Sequence, residues 1–371
     1  MLTESLPRSA PPAVVRPRRL RGLLAAACAL LAGCSSSGYL VQAASGQWHV
    51  NRARVPMAAV IADPQTSPDL RARLARVRAA REFASRELGL PDNNSYRSYA
   101  DIQRPYVVWN VVATPEFSTV PHHWCFPVAG CVAYRGYFHE AAARKFAAAL
   151  ARQGFDVTVN GVPAYSTLGK FSDPLLSSMM RYGDDELVAE MFHELAHQLL
   201  YVKDDSAFNE AFATTVEDAG LERWLAQQGT PERMQAFLKD QAREADLVRL
   251  MGAARAKLAA LYATREPLSA MRARKQQVLA ALGEDIRALE RRAGEDYPLY
   301  DEWLRAGFNN AHLASVATYY DCVPGFRQLL GEQGNDLARF YAAARALARQ
   351  PRAERHARLC GPTAGAAAPE D

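Results

Sequence analysis

Apolar residues at helical spacing mark the middle of this chain. Across residues 184–201, Val188, Phe192, Leu195 and Leu199 recur three or four positions apart. This spacing places them on one face of an α-helix, while acidic residues and histidines occupy the rest of its surface. We therefore predict a helix that packs on one side and offers polar groups on the other.

A second helix is predicted directly after a short polar turn. Residues 207–220 have helix-forming character, with Asp205 or Ser206 as N-cap and Gly220 as stop signal. In the first helix, Asp184 or Asp185 can serve as the N-cap. Because the connecting turn is short, the two helices should lie antiparallel and adjacent.

Strand-forming residues and further helices surround this pair. Together they predict a helix-rich α+β fold with a small mixed sheet and a long helical hairpin. The expected strands are 106–113, 132–138, 156–162 and 162–169, and the expected helices are 68–88, 140–153 and a hairpin over 231–297 that breaks near Glu266-Pro267.

The first helix carries the motif His193-Glu194-Leu195-Ala196-His197. Two histidines four residues apart lie on one helical face, so both imidazoles can bind one metal ion. Glu194 can then act as the general base that deprotonates water, as in zinc hydrolases. On the motif alone, the alternative is a polar helix face with two surface histidines.

A catalytic zinc site needs a third protein ligand, and the second helix offers two. Asn209-Glu210-Ala211-Phe212-Ala213 resembles the segment in which the gluzincins, the thermolysin-like and alanyl-aminopeptidase-like peptidases, place a glutamate ligand. The resemblance implies a gluzincin core that holds one Zn²⁺ through His193, His197 and Glu210. Twelve residues separate His197 from Glu210, fewer than in those families, and by spacing alone Glu217 fits better. Thr214, Glu217 and Asp218 are open candidates for orienting a zinc histidine.

A wider resemblance covers most of the chain. It is to a bacterial family of predicted zinc aminopeptidases, many of which carry a lipoprotein signal. The resemblance implies a zinc-dependent peptidase, an aminopeptidase by family name, acting on peptide substrates. The segments that carry it are 109–113, 115–118, 124–131, 134–138, 164–169 and 173–176.

Further groups are expected to complete the site. Gluzincins stabilise the oxyanion with a tyrosine or histidine, for which Tyr319 and His312 are the candidates, the alternative being structural roles. Asn310 could bind substrate backbone or cap a helix. Glu116 could bind a free amino end in place of the motif that alanyl aminopeptidases use. Tyr165 lies in a predicted edge strand that could pair with extended substrate, or that is an ordinary internal strand.

The N-terminus resembles a lipoprotein signal. A basic region and a short apolar core precede Leu31-Ala32-Gly33-Cys34, in which cleavage would leave Cys34 as the lipidated N-terminus. Since Ser35 follows, we expect an anchor in the bacterial outer membrane that faces the periplasm. The alternative is a plain secretory signal with Cys34 incidental.

Processing changes the charge of the protein. The formal net charge of +4 includes five arginines and one glutamate in residues 1–33, so the mature chain is neutral. Nothing in this balance indicates nucleic-acid binding. Four cysteines besides Cys34 remain in an oxidising compartment. Of the three pairings they allow, we predict Cys125–Cys131 with Cys322–Cys360, and a structural zinc site is the weaker alternative.

Two other functions compete with a zinc aminopeptidase. One is an envelope-anchored endopeptidase, and the other is a non-catalytic periplasmic binding or assembly factor on a peptidase fold. The intact Glu194 argues against the second. The expected segments are a signal peptide (1–33), a tether (34–50), the peptidase core (51–225), the hairpin (226–300), a C-terminal part that completes the site (301–361) and a disordered tail (362–371).

Overall fold

A computed structural model describes residues 38–126, 130–228, 230–293 and 303–360. The chain divides into two compact units between Trp48 and His49, and the elements that carry the site belong to the second. Residues 38–48, within the expected tether, are helical. The signal peptide, Cys34 and the tail lie outside the described residues. Among the helices that are described, none combines the length and the apolar character needed to cross a membrane.

The second unit is a helix-rich α+β fold. Its helices are α1 (Met57–Ala62), α2 (Pro68–Arg86), α3 (Glu140–Arg152), α4 (Asp184–Leu199), α5 (Ser206–Gln228), α6 (Pro231–Tyr262), α7 (Leu268–Ala293), α8 (Asn310–Tyr320), α9 (Val323–Glu332), α10 (Leu337–Ala348) and α11 (Arg352–Leu359). Its strands are β1 (Arg54–Pro56), β2 (Ser98–Ala100), β3 (Val108–Pro115), β4 (Trp124–Phe126), β5 (Gly130–Val132), β6 (Arg135–Tyr137), β7 (Phe155–Val162) and β8 (Leu175–Leu176).

The strands form three small sheets. The largest has the order β6-β3-β7 and is antiparallel, β4 and β5 form a hairpin, and β1-β2-β8 is mixed. The predicted strand over 132–138 is in fact two strands separated by Ala133 and Tyr134. The predicted strand over 162–169 is wrong: β7 ends at Val162, Pro163 offers no N–H for a ladder, and Thr167 bonds to Asp173 in a turn.

The two faces of the largest sheet pack against different helices. Trp109 and Tyr137 are directly opposite each other in the register, and Phe146 of α3 contacts the Tyr137 ring on that face. On the opposite face, Asn110 and Asn160 line a cavity together with residues of α8. The sheet is therefore enclosed between α3 and α8.

Helices α4 and α5 are antiparallel neighbours at the centre of the main core. Phe192 and Leu195 are fully buried, as their spacing predicted. Gly220 does not stop α5, which continues to Gln228. Instead, a Cβ atom there would lie 2.9 Å from side-chain carbons of Leu88 and of Phe192, so the glycine permits close packing of the helices.

The start of α4 also differs from prediction. Gly183 is the N-cap residue, and Glu186 accepts a hydrogen bond from its N–H at 3.2 Å. Asp184 pairs with Arg73 instead, and Asp185 pairs with Arg233. Both aspartates still lie in the first turn, where negative charge is favourable.

Helices α6 and α7 form the predicted hairpin, which packs mainly through a second apolar cluster. A buried lysine attaches the hairpin to the sheet. Lys275 donates to the carboxylate of Asp156 at 2.6 Å and to the carbonyl of Glu116 at 2.8 Å. Asn310 of α8 donates through its backbone N–H to the same Asp156 carboxylate. One carboxylate therefore joins the sheet, the hairpin and α8.

The last helix is attached to the start of α5 by a buried charge cluster. Asp205 is 1% exposed, caps α5 by accepting from the N–H of Phe208, and pairs with Arg355 and His356 at 2.6 and 2.7 Å. Burial would raise the pKa of Asp205, but the hydrogen bonds and charges of His356 and Arg355 hold it below its ordinary value. The Cys322–Cys360 disulfide, confirmed here, links α11 to the segment before α9.

We predict that Asp205→Asn destabilises the protein by about 3–5 kcal/mol at pH 7, since Arg355 and His356 would lose a buried partner. Because the folded-state pKa is depressed, the contribution is complete above the unfolded pKa of about 3.9 and is lost as pH falls through the lower folded value. Urea unfolding from pH 7 to pH 3 measures this. The exposed Asp69→Asn is the control, and a pH-independent difference would contradict the prediction.

Candidate metal centre

The two histidines of α4 converge as the helical spacing predicts. Their Nε2 atoms are 3.1 Å apart, and both side chains are buried. The two rings meet edge to face, with centroids 4.8 Å apart. His193 and His197 therefore direct nitrogen atoms at one point rather than at solvent, unlike two surface histidines.

Glu210 of α5 completes the cluster. Its Oε2 atom lies 3.4 Å from Nε2 of each histidine. The three ligand-type atoms lie within 4.8 Å of one another, a spacing that could hold a metal ion. Burial would raise the pKa of Glu210, but the two neighbouring histidines lower it to about 2.

Asn209 sets the position of Glu210. Its side-chain oxygen accepts from the Val202 N–H at 2.7 Å, and its amide nitrogen donates to the Val202 carbonyl at 2.8 Å. This double hydrogen bond satisfies a backbone residue in the turn between α4 and α5 and fixes where α5 begins. The asparagine that precedes the glutamate therefore holds the turn that brings Glu210 to His197.

Glu217 occupies a different position, behind His193. Its Oε2 atom is 2.9 Å from Nδ1 of His193, on the side of the ring away from Glu210. A carboxylate there accepts the Nδ1 proton, which leaves the Nε2 lone pair directed at the cluster. The sequence spacing did not decide between the two glutamates. In the structure, Glu210 faces both histidines and Glu217 contacts only His193. Asp218, another candidate for this role, pairs with Arg327 instead.

Glu194 is the buried acid beside the three converging residues. Its Oε2 atom is buried without a hydrogen-bond partner among the described residues. Burial, followed by the charge of Glu190, raises its pKa well above the ordinary value. Burial also raises the pKa of Glu190, to about 7. A nearby cation would stabilise the charged form of a carboxylate that has other acids around it and an oxygen without a hydrogen-bond partner.

The structure separates the two candidates for oxyanion stabilisation. Tyr319 is near the cluster: burial, then the charge of Glu210, raises the pKa of its phenol. His312 serves the fold instead. Its Nδ1 accepts from the N–H of Asn309 at 3.1 Å, and its ring packs on Trp303 and Phe308. Burial lowers the pKa of His312 to about 4.

Three expected substrate-binding residues have structural partners. Asn310 is fully buried, accepts from the Tyr262 hydroxyl and donates to the Glu116 carbonyl, so its amide is not free to bind substrate. The Glu116 carboxylate pairs with Arg272 and is already compensated in charge. Tyr165 lies in irregular backbone and packs against Phe138, so no edge strand presents it.

A disulfide hairpin supports the turn between α4 and α5. Cys125 and Cys131, paired as predicted, lie opposite each other in β4 and β5. The N–H of Cys131 donates to the Asp204 carboxylate at 2.5 Å. Gly130, with a φ of +77°, leaves no room for a side chain next to Asp204. The hairpin therefore lies in direct contact with the turn that positions the cluster.

Two contributions were missed at the sequence level. The match to an Asn-Glu motif included Asn209, but it did not show that the Asn209 side chain holds the turn before α5. No sequence signal pointed to the cavity next to Tyr319, because its lining comes from separate segments of the sheet, α8 and the residue Trp303.

Comparison with known proteins identifies a family. The model of the family described as "Putative aminopeptidase" matches residues 38–359, which include the whole cluster. No curated protein and no solved structure matches the chain. The family description supports a peptidase function with a peptide as substrate. Because the match spans far more than half of its length, the chain belongs to this family.

Proposed function

We propose that the protein is a zinc-dependent peptidase of gluzincin type, with His193, His197 and Glu210 as zinc ligands. The observation that carries the proposal is the convergence of two Nε2 atoms and one carboxylate oxygen within 4.8 Å. Two imidazoles and one carboxylate are a ligand set of catalytic zinc sites, which keep a fourth position open. The unpartnered Glu194 oxygen beside them fits a site built around a cation.

The protein side chains divide the chemistry among them. Bound zinc supplies a Lewis acid that polarises a peptide carbonyl and lowers the pKa of water. Glu194 takes the proton from water and delivers it to the leaving amine. Glu217 keeps His193 in the tautomer whose Nε2 carries the lone pair. Tyr319 donates a hydrogen bond from its phenolic hydroxyl to the oxyanion that forms at the substrate carbonyl.

The direction of cleavage rests on the family. Its description favours removal of N-terminal residues. An aminopeptidase needs a group that binds the free amino end, and Glu116 does not supply it because Arg272 already pairs with its carboxylate. Among the acids described near the cluster, Glu190 is the one we assign to this role, because it lies one helical turn before Glu194 on α4 and its charge acts on the Glu194 carboxyl.

Zinc content separates the two glutamates of α5. We expect one zinc per wild-type chain, loss of zinc in Glu210→Gln, and retention with about 10–100-fold weaker affinity in Glu217→Gln, because Glu217 acts through His193. Elemental analysis after dialysis against graded chelator measures this. Glu222→Gln, exposed on the same helix, is the control. Loss of metal from Glu217→Gln alone would exchange the two roles.

Turnover tests the base and the direction of cleavage together. Zinc-loaded wild type should hydrolyse amino-acid amides and leave N-blocked peptides intact, while Glu194→Gln should keep its zinc and lose about 10²–10⁴-fold in kcat. Cleavage of blocked peptides alone would make the protein an endopeptidase. No cleavage of either by metal-loaded wild type would favour a binding or assembly role.

We further propose that the protein is anchored to the outer membrane by lipid on Cys34 and faces the periplasm. The support is the sequence Leu31-Ala32-Gly33-Cys34 after a short apolar segment. Expressed in its host, the wild type should partition into detergent, and Cys34→Ser should stay in the aqueous phase. Cys28→Ser, inside the apolar segment, should behave like wild type. Aqueous partitioning of the wild type would remove the anchor.

A further inference from the structure

A small cavity lies between the largest sheet and α8. Its volume is about 220 Å³, below the range of roughly 300–1,000 Å³ that is typical of ligand pockets and close to the size of one amino-acid side chain. Asn110 and Asn160 line it from the sheet, and Ser315 and Tyr319 line it from the helix. Tyr106, Tyr134 and Trp303 also line it.

Two asparagine amides lie side by side in this cavity. Asn110 and Asn160 are directly opposite each other in the antiparallel register of β3 and β7, so they share one face of the sheet. Asn110 is only 9% exposed, and it lines the cavity. Asn160 accepts from the Thr158 hydroxyl, which leaves its amide hydrogens available.

A ligand that enters the cavity removes these amides from water, so it must offer hydrogen bonds in return. Desolvating such a group without a hydrogen bond costs about 1–3 kcal/mol. Together the two amides offer both donors and an acceptor, which matches a hydroxyl group because a hydroxyl also donates and accepts. The amide pair therefore indicates a ligand with a neutral, hydrogen-bonding end.

The cavity adjoins the candidate metal centre through Tyr319. This residue lines the cavity, and the charges of Glu210 and Glu194 add to the effect of burial in raising the pKa of its phenol. Its helix, α8, also packs against α5, which carries Glu210. A peptide with its scissile bond at the metal centre can therefore place a neighbouring side chain in the cavity.

The lining excludes charged occupants. Within the described parts of the chain, the cavity wall contains no lysine, arginine, histidine, aspartate or glutamate. A charged side chain would lose its hydration there without gaining an opposite charge from the lining residues. The surrounding tyrosine and tryptophan rings instead favour an aromatic ring, through edge-to-face or offset contacts.

From these observations we infer that the cavity is a specificity pocket for the substrate residue at the scissile bond, and that it selects a neutral aromatic side chain with a hydroxyl tip, tyrosine above phenylalanine. The inference rests on the proposed peptidase function and deepens it. Asn110 and Asn160 are the specificity-determining residues, and they act by hydrogen bonding to the phenol of the substrate.

Binding without turnover gives the first test. By calorimetry, zinc-loaded Glu194→Gln, which should keep its metal and hydrolyse amides very slowly, should bind tyrosinamide about tenfold more tightly than phenylalaninamide, and lysinamide more weakly still, since a lost hydrogen bond of about 1.4 kcal/mol is tenfold. Asn110→Leu and Asn160→Leu should abolish the preference for tyrosinamide. Asn94→Leu, the same change at an exposed site, should keep it.

Near-ultraviolet circular dichroism shows which variants remain folded, and Asn160, which is less buried than Asn110, is the safer substitution. Equal binding of tyrosinamide and lysinamide, or an unchanged preference in a folded Asn160→Leu, would overturn the inference.

Cleavage of matched peptides that differ only at the tested residue separates the two proposals. Faster cleavage of the tyrosine peptide, with the preference lost in Asn160→Leu, supports both. Cleavage of all peptides at equal rates overturns the pocket alone. Selective binding of tyrosinamide without any cleavage would overturn the peptidase function and leave the selectivity of the cavity in place.

Discussion

The antiparallel contact between α4 and α5 is the constraint on which the site depends. A zinc-type cluster cannot form on α4 alone, because one helical face supplies only two of the three ligand atoms. Asn209 fixes the turn through both polar groups of Val202. Two turns further along, Glu217 contacts His193. Gly220 then lets α5 approach Phe192 more closely than any other residue would allow.

This close contact concentrates negative charge in a buried place. Glu190, Glu194, Glu210 and Glu217 all lie on the two helices, and burial raises the pKa of the first two. Glu210 and Glu217 have histidine partners, but the buried Oε2 atom of Glu194 has none among the described residues, which is unfavourable if nothing binds there. The arrangement is favourable around a divalent cation, which offsets several of these charges at once. The electrostatics therefore support the same conclusion as the geometry.

The sequence predicted what depends on local spacing. Helical periodicity located α4, and the match around Glu210 indicated which glutamate faces the histidines despite an unusual spacing. Prediction from the sequence failed where the role of a residue depends on contacts between distant parts of the fold. Asn310 accepts a hydrogen bond from Tyr262 of the hairpin, and Glu116 forms an ion pair with Arg272. A glycine such as Gly220 often ends a helix. Only the fold shows that this one lies in close contact with Leu88 and Phe192, where a larger residue would not fit.

The contrast between the cluster and the neighbouring cavity suggests how selectivity can arise. In the proposed function, the cluster would recognise a peptide through groups that every peptide has, namely the carbonyl and the amino end, so it could not distinguish one residue from another. Discrimination must come from a surface that meets the side chain, and a neutral surface can discriminate only by shape and hydrogen bonds. Tyr319 belongs to both surfaces, since it lines the cavity and lies near Glu210. A side chain that fits the cavity would therefore pack against the residue proposed to stabilise the oxyanion, which couples substrate choice to the reaction itself.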